Sequence, residues 1–136
     1  MRKHGFAKTP AVLVVEDEPL LLMLAMDMVE EAGFEALGAA GSNEALRILE
    51  GHHDIRLVFT DVDMPDGVNG LRLAAMVRER WPPIEIIVTS GLRAPPEEMI
   101  PERGLFLPKP YDEAEVTSAI HRMLSRSECE QTDGLG

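Results

Sequence analysis

Four short apolar runs in this chain end in residues able to do chemistry. Glu16 and Asp17 follow residues 11–15, and Asp61 follows 55–60. Thr89 and Ser90 close the run that begins at Ile84, while Lys109, between Pro108 and Pro110, follows 105–107. Three carboxylates gathered in one cleft repel one another and resist ionising together. One lysine does not balance them. A hard divalent cation with oxygen ligands does, and Mg²⁺ suits a site that offers a few carboxylates and leaves room for phosphate. An aspartate beside such an ion, a lysine and a hydroxyl is equipped for phosphoryl transfer. The carboxylate acts as nucleophile and forms an acyl phosphate, while the cation and the lysine neutralise charge on the phosphoryl oxygens. Taken singly, each residue is more simply a solvated loop residue, and Glu16-Asp17-Glu18 could merely complement a helix dipole. Their joint placement carries the functional reading.

That placement depends on the elements between them. Residues 11–15 are continuous and Val-rich, as in a strand buried on both faces. Helical sequence begins at Pro19, a residue tolerated in a first turn, and stops at Gly33. Residues 34–37 form a short second strand ending in Gly38, Ala39 and Ala40, none of them reactive. Ser42 is expected to cap a helix that ends at Gly51. A third strand at 55–60, a helix at 70–80 stopped by Pro82-Pro83, a fourth strand at 84–89 and a fifth at 105–107 follow. Asp112 and Glu115 form a capping box for a last helix, whose Val116, Ala119, Ile120, Met123 and Leu124 make one apolar stripe. Strands alternating with helices imply right-handed βαβ units and a parallel sheet with helices on both faces. In such sheets ligands bind beyond the carboxyl ends of the strands, where strand order reverses. The inert second strand belongs at the outside, giving the order 2-1-3-4-5. Glu16, Asp17 and Asp61 then meet at the switch point, with Thr89 and Lys109 across from them.

Length and composition bound this reading. A chain of 136 residues, 45% hydrophobic and 27% charged, is one domain's worth of ordinary globular sequence. We expect a short flexible segment at 1–9, one domain at 10–126, a disordered polar tail at 127–136, and no attached output module. The net charge of −11 argues against a nucleic-acid partner. No signal-peptide pattern and no apolar run long enough for a bilayer is visible, and one cysteine, Cys129, cannot form an internal disulfide. A cytoplasmic protein with no membrane contact is expected.

Four stretches carry a family resemblance. Val14-Val15-Glu16-Asp17-Glu18-Pro19, Thr60-Asp61-Val62-Asp63-Met64-Pro65 with Gly70, Ile87-Val88-Thr89-Ser90-Gly91, and Leu107-Pro108-Lys109-Pro110-Tyr111 together resemble the receiver domain of response regulators in two-component signalling. The resemblance implies a flavodoxin-like, doubly wound (βα)5 fold. It implies a phosphoacceptor at Asp61, served by a sensor histidine kinase or a histidine phosphotransfer protein. It also implies Mg²⁺ held by Asp17, Asp61 and the backbone carbonyl of Asp63, with Glu16 contributing directly or through water. Thr89 would hydrogen-bond the phosphoryl oxygen and Lys109 would pair with it. Phe106 matches an aromatic switch position that turns inward when Thr89 moves, and the Lys109–Pro110 bond is often cis in the family. The downstream target is not implied.

The sequence also departs from the family pattern. Glu16 replaces the commoner aspartate, one extra residue lies between Pro65 and Gly70, and Pro95, Pro96 and Pro101 argue for a short or irregular fourth helical segment. In the first helix, a stripe of Leu21, Leu24, Ala25, Met28 and Ala32 facing the sheet would leave Leu22, Met23 and Met26 outward, as a Met-rich surface for a partner helix. His52-His53 reads as solvated loop rather than metal ligand. Asp63, two residues past the acceptor, is placed to influence an attacking water. Two rival readings remain at this point. A haloacid-dehalogenase-type phosphohydrolase shares the Asp-x-Asp pattern of Asp61-Val62-Asp63, but carries it after its first strand. A degenerate receiver acting as an unphosphorylated adaptor would not need the full set of acid pair, acceptor, Thr89 and Lys109.

Overall fold

Short runs of branched aliphatics bury both faces only when stacked side by side between helices. The computed structural model describes residues 9–64, 69–91 and 94–135, of which 126–135 as backbone only. It joins β1 (Ala11–Val15), β2 (Glu35–Ala39), β3 (Ile55–Asp61), β4 (Glu85–Ser90) and β5 (Leu105–Pro108) into one parallel sheet of order β2-β1-β3-β4-β5. The connecting helices are α1 (Pro19–Glu31), α2 (Ser42–Gly51), α3 (Gly70–Arg80) and α4 (Glu113–Leu135). This is the flavodoxin-like order expected from the inert second strand. Residues 1–8 and 65–68, covering most of the expected N-terminal segment and the lengthened loop, lie outside the described residues.

Alternation along the strands divides the core. Leu13 and Val15 of β1 and Val58 of β3 pack with Ala45 and Leu49 of α2 and Leu73, Ala74 and Val77 of α3. Val12, Val14, Leu57 and Phe59 face the other way, against Ala25 and Val29 of α1 and Val116, Ala119, Ile120 and Met123 of α4. The apolar stripe expected on the last helix is therefore the one buried. Its capping box is also present: the Glu115 amide donates to Asp112 Oδ1 at 2.8 Å, and the Asp112 amide to Glu115 Oε1 at 2.9 Å.

Several local expectations are corrected. Ser42 does not cap α2. Gly41 holds the cap position and Ser42, fully buried, is the first helical residue, while Glu44 reaches back to accept from the Ala40 amide at 2.8 Å. The second strand begins one residue later than expected, because Gly33, at φ +100°, ends the preceding turn and the Phe34 amide is still bonded to Val29. Where a disordered tail was expected from Ser127, the structure continues α4 to Leu135. Extending a helix costs far less than starting one, and no glycine or proline interrupts 113–133.

The proline-bearing segment between β4 and β5 has, among its described residues, a single 3₁₀ turn at Glu97–Met99. Side chains replace helix bonds in pinning it. Arg78 donates to the carbonyls of Pro82, Ile84 and Glu102 at 2.6, 3.0 and 3.1 Å, and Arg103 to that of Pro82 at 3.0 Å.

The first helix is rotated from the expected setting. Ala25 and Val29 are buried, and Leu22, Met26 and Met28 pack partly against the core. Leu22 and Met26 are half-buried and still line a surface pocket with Met23, so the expected outward patch is partly covered. Leu20, Met23 and Leu24 are 61%, 57% and 46% exposed instead. Both stripes have helical spacing in a helix that is apolar nearly all round, so the choice falls to the sheet. Gly38 of β2 leaves room that Met26 fills, since a Cβ there would lie 2.6 Å from the Met26 sulfur.

One close approach locks the scaffold to the site. A Cβ at Gly70 would collide with the carbonyl oxygen of Asp61 and lie 2.9 Å from the Val62 Cα. Gly70→Ala must push α3 away from the end of β3, and is expected to lower unfolding free energy by roughly 1–3 kcal/mol in chemical denaturation. A variant of unchanged stability would show that α3 is free to shift.

Candidate functional site

Each chemical group sits where a strand runs out. The β1 terminus carries Glu16 and Asp17, β3 ends on Asp61, β4 ends on Thr89 and Ser90, and β5 delivers Lys109. Parallel pairing sets them side by side: Asp61 pairs with Thr89, and Ser90 with Pro108. The Val62 amide donates to the Thr89 carbonyl at 2.8 Å, and the Lys109 amide to the Ser90 carbonyl at 3.0 Å, so the ladder continues past the last strand residues.

The side chains converge. Lys109 Nζ lies 3.1 Å from Glu16 Oε1 and 3.4 Å from Asp61 Oδ1. The second Glu16 oxygen accepts from the Glu18 amide at 3.1 Å, and Asp61 Oδ1 accepts from the Asp63 amide at 3.3 Å. Glu16 and Asp61 are buried, and Asp17 is half-buried. Oxygens of Glu16, Asp17 and Asp61 lie within 4.8 Å of one another, a hard-oxygen donor set that fits Mg²⁺. Thr89 Oγ1 is buried with no hydrogen-bond partner. It shares a small cavity with Glu16, Asp61, Phe59 and Tyr111. A buried hydroxyl left unpaired costs free energy. Here it faces a space bounded by two carboxylates and is ready to donate to an incoming oxygen. Phe106, paired with Val88 in the register, is half-buried against the α2–α3 side of the core.

Two features had no role in the sequence reading. Ser90 Oγ donates to Asp63 Oδ2 at 2.7 Å. Tyr111 packs its ring 5.4 Å from that of Phe59 and walls the cavity. Both residues lie inside the motif stretches, but only the fold reveals what each touches. His52 and His53 are exposed at the far end of α2, where His52 Nδ1 meets the Ile48 carbonyl at 3.0 Å.

Burial dominates the electrostatics. It pushes the Asp61 and Glu16 carboxyls above their usual range; Lys109 and the amides of Asp63 and Glu18 offset this only in part. Burial would lower the Lys109 ammonium, but the hydrogen bond to Glu16 and the charges of Asp61 and Glu16 outweigh it and leave it raised. Tyr111 is also raised, chiefly by burial.

The linkage signs follow. Carboxyls that hold protons to a higher pH when folded make stability fall as pH rises through their raised range. The raised lysine has the same sign in a higher window: it contributes stability at neutral pH that is lost only as pH rises above the ordinary lysine range. Without metal, Asp61→Asn is therefore expected to melt above the wild type at neutral pH, by a margin that narrows as pH drops through the carboxylates' raised range. Added Mg²⁺ should raise the wild-type midpoint progressively, and that of the variant less. Calorimetry in chelator and in millimolar Mg²⁺ checks both, and a wild-type midpoint indifferent to Mg²⁺ would contradict the cation assignment.

The chain is similar to known proteins. Residues 12–121 match the family profile of the response regulator receiver domain. The aerobic respiration control protein ArcA of Escherichia coli K12 is 30% identical over 122 residues, which are 88% of this chain and 50% of ArcA. The transcriptional regulatory protein PdtaR of Mycobacterium tuberculosis H37Rv is 30% identical over 118 residues, 85% of this chain and 57% of PdtaR. The chain thus spans about half the length of these curated relatives. Among solved structures, a response regulator receiver protein from Pseudomonas putida superposes with a TM-score of 0.75 at 30% identity, covering 85% of this chain and 98% of that one.

Proposed function

The chain belongs to the response regulator receiver family of two-component signalling, and we propose that it takes a phosphoryl group on Asp61 from a phosphohistidine of a sensor histidine kinase or phosphotransfer protein. The observation that carries this is the convergence of Asp61, the Glu16–Asp17 pair, Lys109 and the unpaired Thr89 hydroxyl at the carboxyl ends of the strands.

In the transfer an Asp61 carboxylate oxygen bonds to phosphorus as the phosphorus–nitrogen bond to the donor histidine breaks, and the imidazole leaves with a proton. Lys109, already between Glu16 and Asp61, needs little movement to pair with a phosphoryl oxygen. Thr89 donates its hydroxyl to another. Glu16, Asp17 and Asp61, with the backbone carbonyl of Asp63, would hold Mg²⁺, whose bound charge stabilises the phosphoryl oxygens in the transition state. Glu16 has two calls on its carboxylate: one oxygen accepts from Lys109 and the other from the Glu18 amide.

Occupation of Thr89 by the phosphoryl group draws the end of β4 toward Asp61. Phe106, beside Val88 on the edge strand β5, turns into the space this vacates. The altered surface would act on a downstream protein or the phosphoryl group would be relayed onward. No helix among the described residues is long and apolar enough to cross a membrane. With that and the net charge of −11, we infer action in the cytoplasm on protein partners rather than nucleic acid.

The donor's docking surface is the exposed apolar side of α1. Leu21, Leu24, Ala25 and Met28 line a cleft of about 380 Å³ that ends at Lys109, Pro110 and Tyr111. A helix seated there would bring a histidine close to Asp61. On α1, Leu21 and Leu24 are the exposed side chains of this cleft, and Met28 in it has the adaptability that suits a docking helix.

Incubation with purified candidate kinases and labelled ATP tests the reading. Label is expected on the wild type and not on Asp61→Asn; label retained by the variant would overturn it. Replacing Leu21 and Leu24 together by lysine is expected to slow transfer from the cognate kinase by roughly tenfold or more. Loading from a small phosphoramidate donor should fall far less, and equal loss with both donors would count against docking on α1.

A further inference from the structure

We propose that Ser90 is a positioning residue that fixes the Asp63 carboxylate beside the acceptor and thereby sets the lifetime of the acyl phosphate. The inference rests on the proposed phosphorylation of Asp61 and adds a device that controls how long the modification lasts.

Asp63 is exposed, and a solvent-facing aspartate ordinarily samples several rotamers. This one is tied at two points. Its amide donates to Asp61 Oδ1 at 3.3 Å, and its Oδ2 accepts from Ser90 Oγ at 2.7 Å. The second bond is short, as expected of a hydroxyl donating to a charged carboxylate. Ser90 itself is not free to follow Asp63 about. It is buried, ends a strand that is buried throughout, and its carbonyl accepts from the Lys109 amide at 3.0 Å. The hydroxyl is thus a fixed peg between the strand end that carries Thr89 and the one that delivers Lys109. A mobile anion on the β3–α3 loop becomes a fixed hydrogen-bond acceptor next to the reacting carboxylate.

Loss of the phosphoryl group is a hydrolysis. A water oxygen bonds to phosphorus as the bond from phosphorus to the Asp61 oxygen breaks; Asp61 returns as a carboxylate, and orthophosphate leaves with both protons of the water. An acceptor held in one place can orient that water for in-line approach, whereas the same acceptor spread over rotamers orients it only part of the time. Asp63 holds the water without keeping a proton. Ser90 touches neither the water nor the phosphoryl group and acts only through Asp63.

The test is the decay of the acyl phosphate, loaded from a small phosphoramidate donor in Mg²⁺ and followed by intact-mass spectrometry. Ser90→Ala is expected to lengthen the half-life by roughly fivefold, about what one net hydrogen bond is worth. Ser90→Thr, which keeps the hydroxyl, should return it to near the wild-type value. Asp63→Asn, which keeps an acceptor oxygen but loses the charge, should lie between wild type and Asp63→Ala. In an Asp63→Ala background, Ser90→Ala should change nothing further, a non-additivity that general damage to the fold does not produce. Melting midpoints of all variants are measured alongside. An unchanged half-life in Ser90→Ala, or an equal effect with and without Asp63, would overturn the inference while leaving phosphorylation of Asp61 standing. Absence of any acyl phosphate on the wild type would instead remove the function on which it rests.

Discussion

The structure is organised around a charge imbalance that it buries on purpose. Asp61 ends the central strand almost out of contact with solvent, with Glu16 beside it, and a single ammonium, that of Lys109, stands between them. Buried carboxylates are costly unless paired, and one lysine cannot fully pair two of them with Asp17 close by. The surplus negative charge is what a divalent cation would offset, and in the proposed function that cation would in turn favour a phosphoryl group. Ground-state stability is given up at this edge so that a charged ligand can recover it.

Everything else keeps that edge in register. The sheet is buried on both faces, so β1, β3 and β4 cannot slide without exposing one of the two cores. The ladder bonds from Val62 to Thr89 and from Lys109 to Ser90 carry the register beyond the strands into the site. Gly70 lets α3 begin directly against the backbone of Asp61, so Asp61 is held from its carbonyl side as well. The helix opposite has a different duty. With Ala25 and Val29 buried and Leu21 and Leu24 exposed, α1 spends only part of its apolar surface on the core and leaves Leu21 and Leu24 lining a cleft with Lys109 and Tyr111.

How much of this was legible in the residues depended on the range of the interaction. The strand order could be read because one apolar run of five ended in Gly38-Ala39-Ala40 and the other four in polar groups. Helix starts with a local signature were legible too: the reciprocal Asp112–Glu115 bonds need only residues three apart. The rotation of α1 was not, because a helix apolar on nearly every side offers more than one stripe, and the deciding contact is with Gly38 on a neighbouring strand. Ser42 misled for a related reason. It has the chemistry of a cap, but Gly41 takes the cap conformation and Ser42 is drawn into the core. The continuation of α4 was missed because polarity was read as disorder, although propagation from a packed helix needs no apolar face. At the site, the gathering of Glu16, Asp17, Asp61, Thr89 and Lys109 was legible from strand ends, whereas the Ser90–Asp63 bond joins residues 27 apart through pairing of two strand termini.

The central claim is that Asp61 is the atom-bearing partner in a cation-dependent phosphoryl transfer. Intact-mass spectrometry with peptide mapping, after incubation with a small phosphoramidate donor, measures this without any assumption about the cognate kinase. The account predicts one added phosphoryl group in the presence of Mg²⁺, mapped to Asp61, and none in excess chelator. A chain that stays unmodified under both conditions, or one modified at another residue, would contradict it.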